Sequence, residues 1–196
     1  MYDDEFELTF DLSDEDKASR APEPEQEPVQ EAAPEPAAET EPPVEPVPEP
    51  AVPAANGRCV LISGGDRGIG AAAARAFWQA GYRVAVLYHT HAEAAAALEK
   101  ALPGLLAVQC DVASRASCEV AFHTVEQAVG HVDVLVSNAG IAQQKLFTDI
   151  TPEEWQHMLD VNLSGAFHLC QLALPGMIRR KAGRILTVSS MWGQTG

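Results

Sequence analysis

Arg58-Cys59-Val60-Leu61-Ile62-Ser63-Gly64-Gly65-Asp66-Arg67-Gly68-Ile69-Gly70 is the stretch that decides the fold. Cys59 to Ile62 is a short apolar run, the pattern of a fully buried strand. It ends in a glycine-rich turn that leads into Ala71–Ala80, an alanine-rich segment of good helix propensity. Strand, glycine turn and helix together aim the free N–H groups of a helix N-terminus at a phosphate. Gly64 and Gly68 let the backbone turn tightly and approach such a group closely. Gly70 lets the helix pack on the strand. The spacing is Gly-x-x-x-Gly-x-Gly rather than Gly-x-Gly-x-x-Gly, and on this segment alone a plain tight turn is an equal reading.

The chain beyond it supplies the context. Strands are expected at Cys59–Ile62, Arg83–Tyr88, Leu105–Cys110, His131–Ser137 and Arg184–Val188. Helices are expected at Gly68–Ala80, His91–Leu102 and Ser114–Val129, closed by Gly81, by Pro103-Gly104 and by Gly130. Thr151-Pro152-Glu153-Glu154 opens a further helical stretch to about Lys181, in two pieces. Strands alternating with helices specify an α/β fold, a parallel sheet with helices on both faces. Ligands of such sheets bind at the carboxyl ends of the strands.

Those ends carry distinctive residues. After the second strand come His89 and Thr90, with no acidic residue to bind a ribose 2′-hydroxyl. With Arg67 in the glycine turn, this leaves room for a 2′-phosphate and favours NADP over NAD; Asp66 partly opposes it. After the third strand, Asp111-Val112 offers a carboxylate to an adenine. Ser137-Asn138-Ala139-Gly140 follows the fourth, and Ser189-Ser190 the fifth.

These motifs, in this order, resemble the short-chain dehydrogenase/reductases over residues 57–196. Ser63-Gly64-x-x-x-Gly68-Ile69-Gly70 looks like the family's cofactor turn, with Ser63 where Thr is usual. Asp111-Val112 looks like the adenine contact, and Asn138-Ala139-Gly140 like the motif flanking the nicotinamide ribose. Asp160-Val161-Asn162-Leu163-Ser164-Gly165 looks like the helix segment with the catalytic Asn. Gly183–Ser190 looks like the fifth strand with its catalytic Ser. The resemblance implies a Rossmann-like, doubly wound sheet, incomplete at about five strands. It implies hydride transfer from a nicotinamide to a ketone carbon. Ser190 would hydrogen-bond the substrate carbonyl. Asn162 would hold a relay water through its backbone carbonyl at a local helix distortion. The family's general acid is a Tyr, with a Lys four residues later. No Tyr-x-x-x-Lys follows Ser190 before Gly196, so the 196 residues alone are expected to be an inactive, aggregation-prone fragment with a raw sheet edge.

Within the family the chain resembles the 3-oxoacyl-[acyl-carrier-protein] reductases. The run Ser189–Gly196, with Met191-Trp192 beside the cleft, also resembles the elongation factor P 5-aminopentanone reductases. The implied partner is a small-molecule, carrier-borne or protein-borne ketone, with homo-oligomers formed by the full-length protein only. Gln143, Gln144 and Lys145 belong to a loop that either lines the cleft or is solvated.

Composition sets the remaining bounds. The formal net charge is −15, and all of it lies in residues 1–56, which hold 17 acidic residues against Lys17 and Arg20. Residues 57–196 are neutral, so no basic patch argues for nucleic acid. The tail is Pro-, Glu- and Ala-rich, a composition that cannot offset the entropy of ordering, and is expected to be disordered. Phe6, Leu8, Phe10 and Leu12 alternate with polar residues, as a docking strand would. This feature sustains the alternative of a non-catalytic nucleotide-binding or partner-docking module on an acidic tether. Cys59, Cys110, Cys118 and Cys170 form no metal-ligand spacing and read as structural thiols in a reducing compartment. An acidic N-terminus and the lack of a long apolar run argue against a signal peptide and a membrane span, and place the protein in the cytoplasm.

Overall fold

The computed structural model describes residues 54–190, all within the unit Val47–Gly196. The Phe6–Leu12 docking strand, nearly all of the acidic tail and the Met191–Gly196 run lie outside the described residues.

The described chain alternates strand and helix. It runs β1 (Cys59–Ser63), α1 (Gly68–Gln79), β2 (Arg83–Tyr88), α2 (Ala92–Ala101), β3 (Leu106–Gln109), α3 (Arg115–Val129) and β4 (Val134–Ser137). A 3₁₀ turn at Phe147–Asp149 leads to α4 (Pro152–Leu159), a π-helical segment (Asp160–Ser164), α5 (Gly165–Arg180) and β5 (Arg184–Thr187). The strands form one parallel sheet in the order β3-β2-β1-β4-β5. The chain starts in the middle, winds outward to β3, then crosses back past β1 to β4. The carboxyl ends of β1 and β4 therefore meet at the point where the winding reverses, which is where such sheets open a crevice.

Alternation along the strands feeds two cores. Cys59, Leu61, Ala85, Leu87 and Leu135 face α3 and α5, where Cys118, Phe122, Val125 and Leu169 meet them. Val60, Ile62, Val84, Val86, Val134 and Val136 face α1 and α2, where Ala74, Trp78 and Leu98 meet them. Both faces of β1 are thus buried, which is why its run is apolar without a break. The indole N–H of Trp78 donates to the Pro103 carbonyl at 3.0 Å, so this large side chain is buried without an orphaned donor.

Local signals fix the ends. The Ser114 hydroxyl accepts from the Ser117 N–H and starts α3. Thr151 and Glu154 form a reciprocal capping box at α4, with Pro152 in the first turn. Several element ends differ from the sequence reading by one residue, and three further differences stand out. Residues 131–133 precede β4 rather than forming it; the Asp133 carboxylate there accepts from the Cys59 N–H at 2.9 Å. The π segment makes the last helical stretch three pieces rather than two. The folded region also begins before residue 57. Asn56 donates from its backbone to Gly81 O at 2.9 Å and from its side chain to Ala80 O at 2.9 Å, so it is tied to the end of α1.

Leu135 is fully buried in the middle of β4, paired in register with Leu61 and with Ile185. Leu135→Ala is expected to lower the unfolding free energy by about 2–5 kcal/mol, the transfer loss plus a residual cavity. Denaturant unfolding of both forms, followed by far-UV circular dichroism, measures the difference.

Candidate cofactor cleft and active site

A cleft of about 500 Å³ opens at the carboxyl ends of β1, β2, β3 and β4. Gly64, Asp66, Arg67, Gly68 and Ile69 form one wall. His89, Thr90 and His91 come from the end of β2, and Cys110, Asp111 and Val112 from the end of β3. Asn138, Ala139, Gly140 and Ile141 close it from β4, with His157 and Val161 on the far side.

The turn fits a phosphate. Arg67 precedes α1 in an extended conformation, and its side chain makes no capping hydrogen bond to the first-turn N–H groups. Those donors are left for a ligand. Gly68 has φ of +54° and, on the cleft side, no heavy atom within 4 Å of where a Cβ would stand. Any larger residue would strain the backbone and fill the space that a pyrophosphate would take. Gly70 has a different job. A Cβ there would lie 2.1 Å from the Gly64 carbonyl oxygen, so only glycine lets α1 start so close to the turn.

Two expected cofactor residues stand behind the cleft instead of on it. Gly70 is one. Ser63 is the other: it is 1% exposed and its hydroxyl is committed elsewhere. The Ser63 Oγ accepts from the backbone N–H groups of Asn138 and Ala139, each at 3.0 Å, and donates to Val136 O at 3.5 Å. In return, the Asn138 side-chain amide donates to Ser63 O at 3.0 Å and Gly64 O at 2.9 Å. The short hydroxyl at the end of β1 is thus spent on holding β4. Asn138 combines this duty with its place on the cleft wall.

Asp111 accepts through Oδ1 from the Ala113 N–H at 3.0 Å, and its own N–H donates to Ser117 Oγ at 3.0 Å. This fixes the β3–α3 loop with the carboxylate at the cleft. His168 on α5 contacts Val112 O at 3.1 Å and supports the same loop from below.

Asn162 lies in the middle of the π segment. It is exposed and is not on the cleft wall, whereas its neighbour Val161 is. Its side-chain amide grips Ile141 on both sides. The Oδ1 accepts from the Ile141 N–H at 2.8 Å, and the Nδ2 donates to Ile141 O at 3.0 Å. A π segment carries one extra residue in the turn, so the helical ladder is interrupted there and backbone carbonyls are spared from it. Ser190 is exposed, beyond the end of β5. It reaches the same end of the sheet because Ser137 pairs with Thr187 and the Val188 N–H donates to Ser137 O at 2.9 Å. Gln143, Gln144 and Lys145 do not line the cleft; Lys145 is bound by Glu154 at 2.7 Å, which holds the Glu154 carboxyl below its ordinary range.

Three of the four thiols, Cys59, Cys118 and Cys170, are held above the ordinary range. Burial pushes Cys59 up to about 11. Cys118 is raised, chiefly by its hydrogen bond with Cys110, and Cys110 is lowered by the same contact, at 3.9 Å between sulfurs. Among the described residues, no three His, Cys, Asp or Glu side chains gather as a metal site, and no helix is long and apolar enough to cross a membrane.

Asp66, Thr90, His91, Cys110, Ile141, His157 and Val161 line the cleft but are not among the site residues expected from sequence. The sequence marks Asp66 only as a charge beside Arg67. Its burial depends on how the turn packs against the segment after β2, and no local pattern encodes that.

Comparison with known proteins agrees with this geometry. Residues 58–196 match the family model described as short chain dehydrogenase. The chain belongs to the short-chain dehydrogenase family. It is 40% identical over 139 residues to the acetoacetyl-CoA reductase of Shinella zoogloeoides, covering 71% of this chain and 57% of that protein. It is 40% identical over 144 residues to the 3-oxoacyl-[acyl-carrier-protein] reductase MabA of Mycobacterium avium, covering 72% and 53%. The crystal structure of gox2181 superimposes with a TM-score of 0.65 at 32% identity, over 70% of this chain and 55% of that one. The chain therefore spans a little over half the length of these relatives.

Ser63→Ala is expected to cost about 1–3 kcal/mol, because it strands two N–H donors at the buried end of β1. Hydrogen exchange should show the loss first at the amides of Asn138 and Ala139. A variant as stable as the parent, with those amides still protected, would contradict the clasp.

Proposed function

We propose that the protein carrying this chain is an NADPH-dependent reductase that converts a ketone to a secondary alcohol. The observation that carries this reading is the cleft at the β1–β4 reversal: a glycine turn with uncapped helix N–H groups, Arg67 at its edge, and no carboxylate directly after β2. When bound, the dinucleotide supplies a hydride to the carbonyl carbon.

The chain's own groups bind and orient. The turn and the first N–H groups of α1 hold the pyrophosphate. Arg67, with His89 nearby, meets the adenosine 2′-phosphate. Asp111 accepts from the adenine amine, and Val112 packs against the ring. Asn138, Ala139 and Gly140 flank the nicotinamide ribose. Ser190 donates a hydrogen bond from its hydroxyl to the carbonyl oxygen and fixes that oxygen where negative charge develops. The spared carbonyl at Asn162 holds a water that returns the proton lost to product. The proton donor itself, Tyr-x-x-x-Lys in this family, is not among residues 1–196, and these residues alone are proposed to be inactive as a reductase.

The names of the relatives support a 3-oxoacyl thioester, on coenzyme A or a carrier protein, as the substrate class. The Ser189–Gly196 run supports a second substrate, the 5-aminopentanone on a lysine of elongation factor P. The near-neutral folded region and the lack of a membrane-spanning helix among the described residues support a cytoplasmic setting. Trp155, Leu163, Phe167 and Ile178, exposed on α4, the π segment and α5, support self-association of the whole protein.

The whole protein is expected to oxidise NADPH in the presence of acetoacetyl-CoA, a 3-oxoacyl carrier protein or the modified elongation factor. Ser190→Ala is expected to lower kcat on the order of a hundredfold, the scale of one lost oxyanion donor, with little change in NADPH affinity. Stopped-flow absorbance of the nicotinamide measures both. No turnover with any ketone would overturn the reading.

A further inference from the structure

Asp66 stands out among the groups on the cleft. Its side chain is only 6% exposed, yet Oδ2 has no hydrogen-bond partner among the described residues. A carboxylate buried in this way is costly unless something arrives to satisfy it. One charged neighbour is at hand. His91 Nδ1 lies 3.5 Å from Asp66 Oδ2, within ion-pair reach but without hydrogen-bond geometry. The imidazole is 48% exposed and lies on the cleft wall, with the Thr90 hydroxyl 3.3 Å from the same nitrogen. The other titratable or charged side chains facing this cleft are Arg67, His89, Cys110, Asp111 and His157.

The placement matters for chemistry. A free carboxylate accepts well from a ribose 2′-hydroxyl and repels a 2′-phosphate. An imidazolium beside it cancels that repulsion and adds a cation next to Arg67. We propose that Asp66 and His91 form a proton-operated selector for the adenosine ribose. With His91 protonated the cleft favours NADPH, and with His91 neutral the bare Asp66 carboxylate favours NADH. The selector rests on the dinucleotide reading above and adds a residue, His91, and a pH dependence to it.

The sign separates this device from its obvious confound. A 2′-phosphate gains negative charge as pH rises through about 6, which beside Arg67 strengthens NADPH binding. Deprotonation of His91 removes a positive charge from the cleft, which weakens NADPH binding. A preference for NADPH that falls as pH rises therefore comes from the protein and not from the ligand.

The test is the dissociation constants of NADPH and NADH for the whole protein, read by nicotinamide fluorescence from about pH 6 to about pH 8. The preference for NADPH over NADH is expected to fall roughly tenfold over that range, within the limit for one linked proton. In His91→Gln the fall should vanish. In Asp66→Asn, which removes the competing charge, the preference at the high end of the range should rise above the parent's. A preference that does not fall in the parent, or that still falls in His91→Gln, overturns the selector while binding of either cofactor leaves the dinucleotide reading standing. Binding of neither cofactor at any pH overturns both.

Discussion

The clasp between Ser63 and Asn138 is the constraint on which the site depends. β1 and β4 are distant in sequence and are brought together only by the reversal of the sheet. Their backbone pairing ends before the cleft, with Ile62 opposite Val136. Beyond that point nothing in the ladder would keep the two carboxyl ends together. The hydroxyl of Ser63 and the amide of Asn138 replace the missing rungs with hydrogen bonds running both ways. These groups are buried or half-buried, so breaking one leaves donors or acceptors unpaired where water cannot replace them. The glycine turn follows directly from Ser63, and α1 follows from the turn. The direction in which the helix N-terminus points is therefore set by this clasp.

A second grip completes the wall. Asn162 binds both polar groups of the Ile141 backbone, as a neighbouring strand would. The segment after β4 is then pinned at Asn138 by the first strand and at Ile141 by the helical stretch. The residues between them, Ala139 and Gly140, line the cleft and are held at both ends. This explains why an exposed asparagine on a helix distortion matters: its side chain orders the loop after β4.

The fold was legible in the sequence because its signals are local and mutually consistent. An unbroken apolar run in Cys59–Ile62, a glycine turn, and helices punctuated by Ser114, Thr151-Pro152 and Gly130 each specify one element. Alternation of the elements then specifies the parallel sheet. Strand ends were less legible. Asp133 lies where the hydrophobic pattern extends a strand, but its carboxylate serves the first N–H of β1 across the sheet, a tertiary demand that no period reports. The site was legible as a set of positions and less so as a division of labour. Ser63 and Asn138 read as cofactor contacts because they occupy motif positions. Their mutual hydrogen bonds belong to a pairing between two strands separated by more than seventy residues.

Charge tells the same story at the cleft. The strong acidity of the chain lies in its first 56 residues, and residues 57–196 are neutral. What a bound cofactor would feel is a handful of groups at the cleft rim. Arg67 and Asp66 are adjacent in sequence, yet the turn buries one and exposes the other. Two opposite charges that would cancel at a distance are thus presented separately. The guanidinium is exposed, and the carboxylate lines the same cleft but is shielded from bulk solvent, close to an imidazole from another strand end. Low accessibility strengthens whatever field the carboxylate exerts, because less water is present to screen it. Cofactor choice in such a site is decided less by the count of charges than by which of them the backbone turn leaves unshielded.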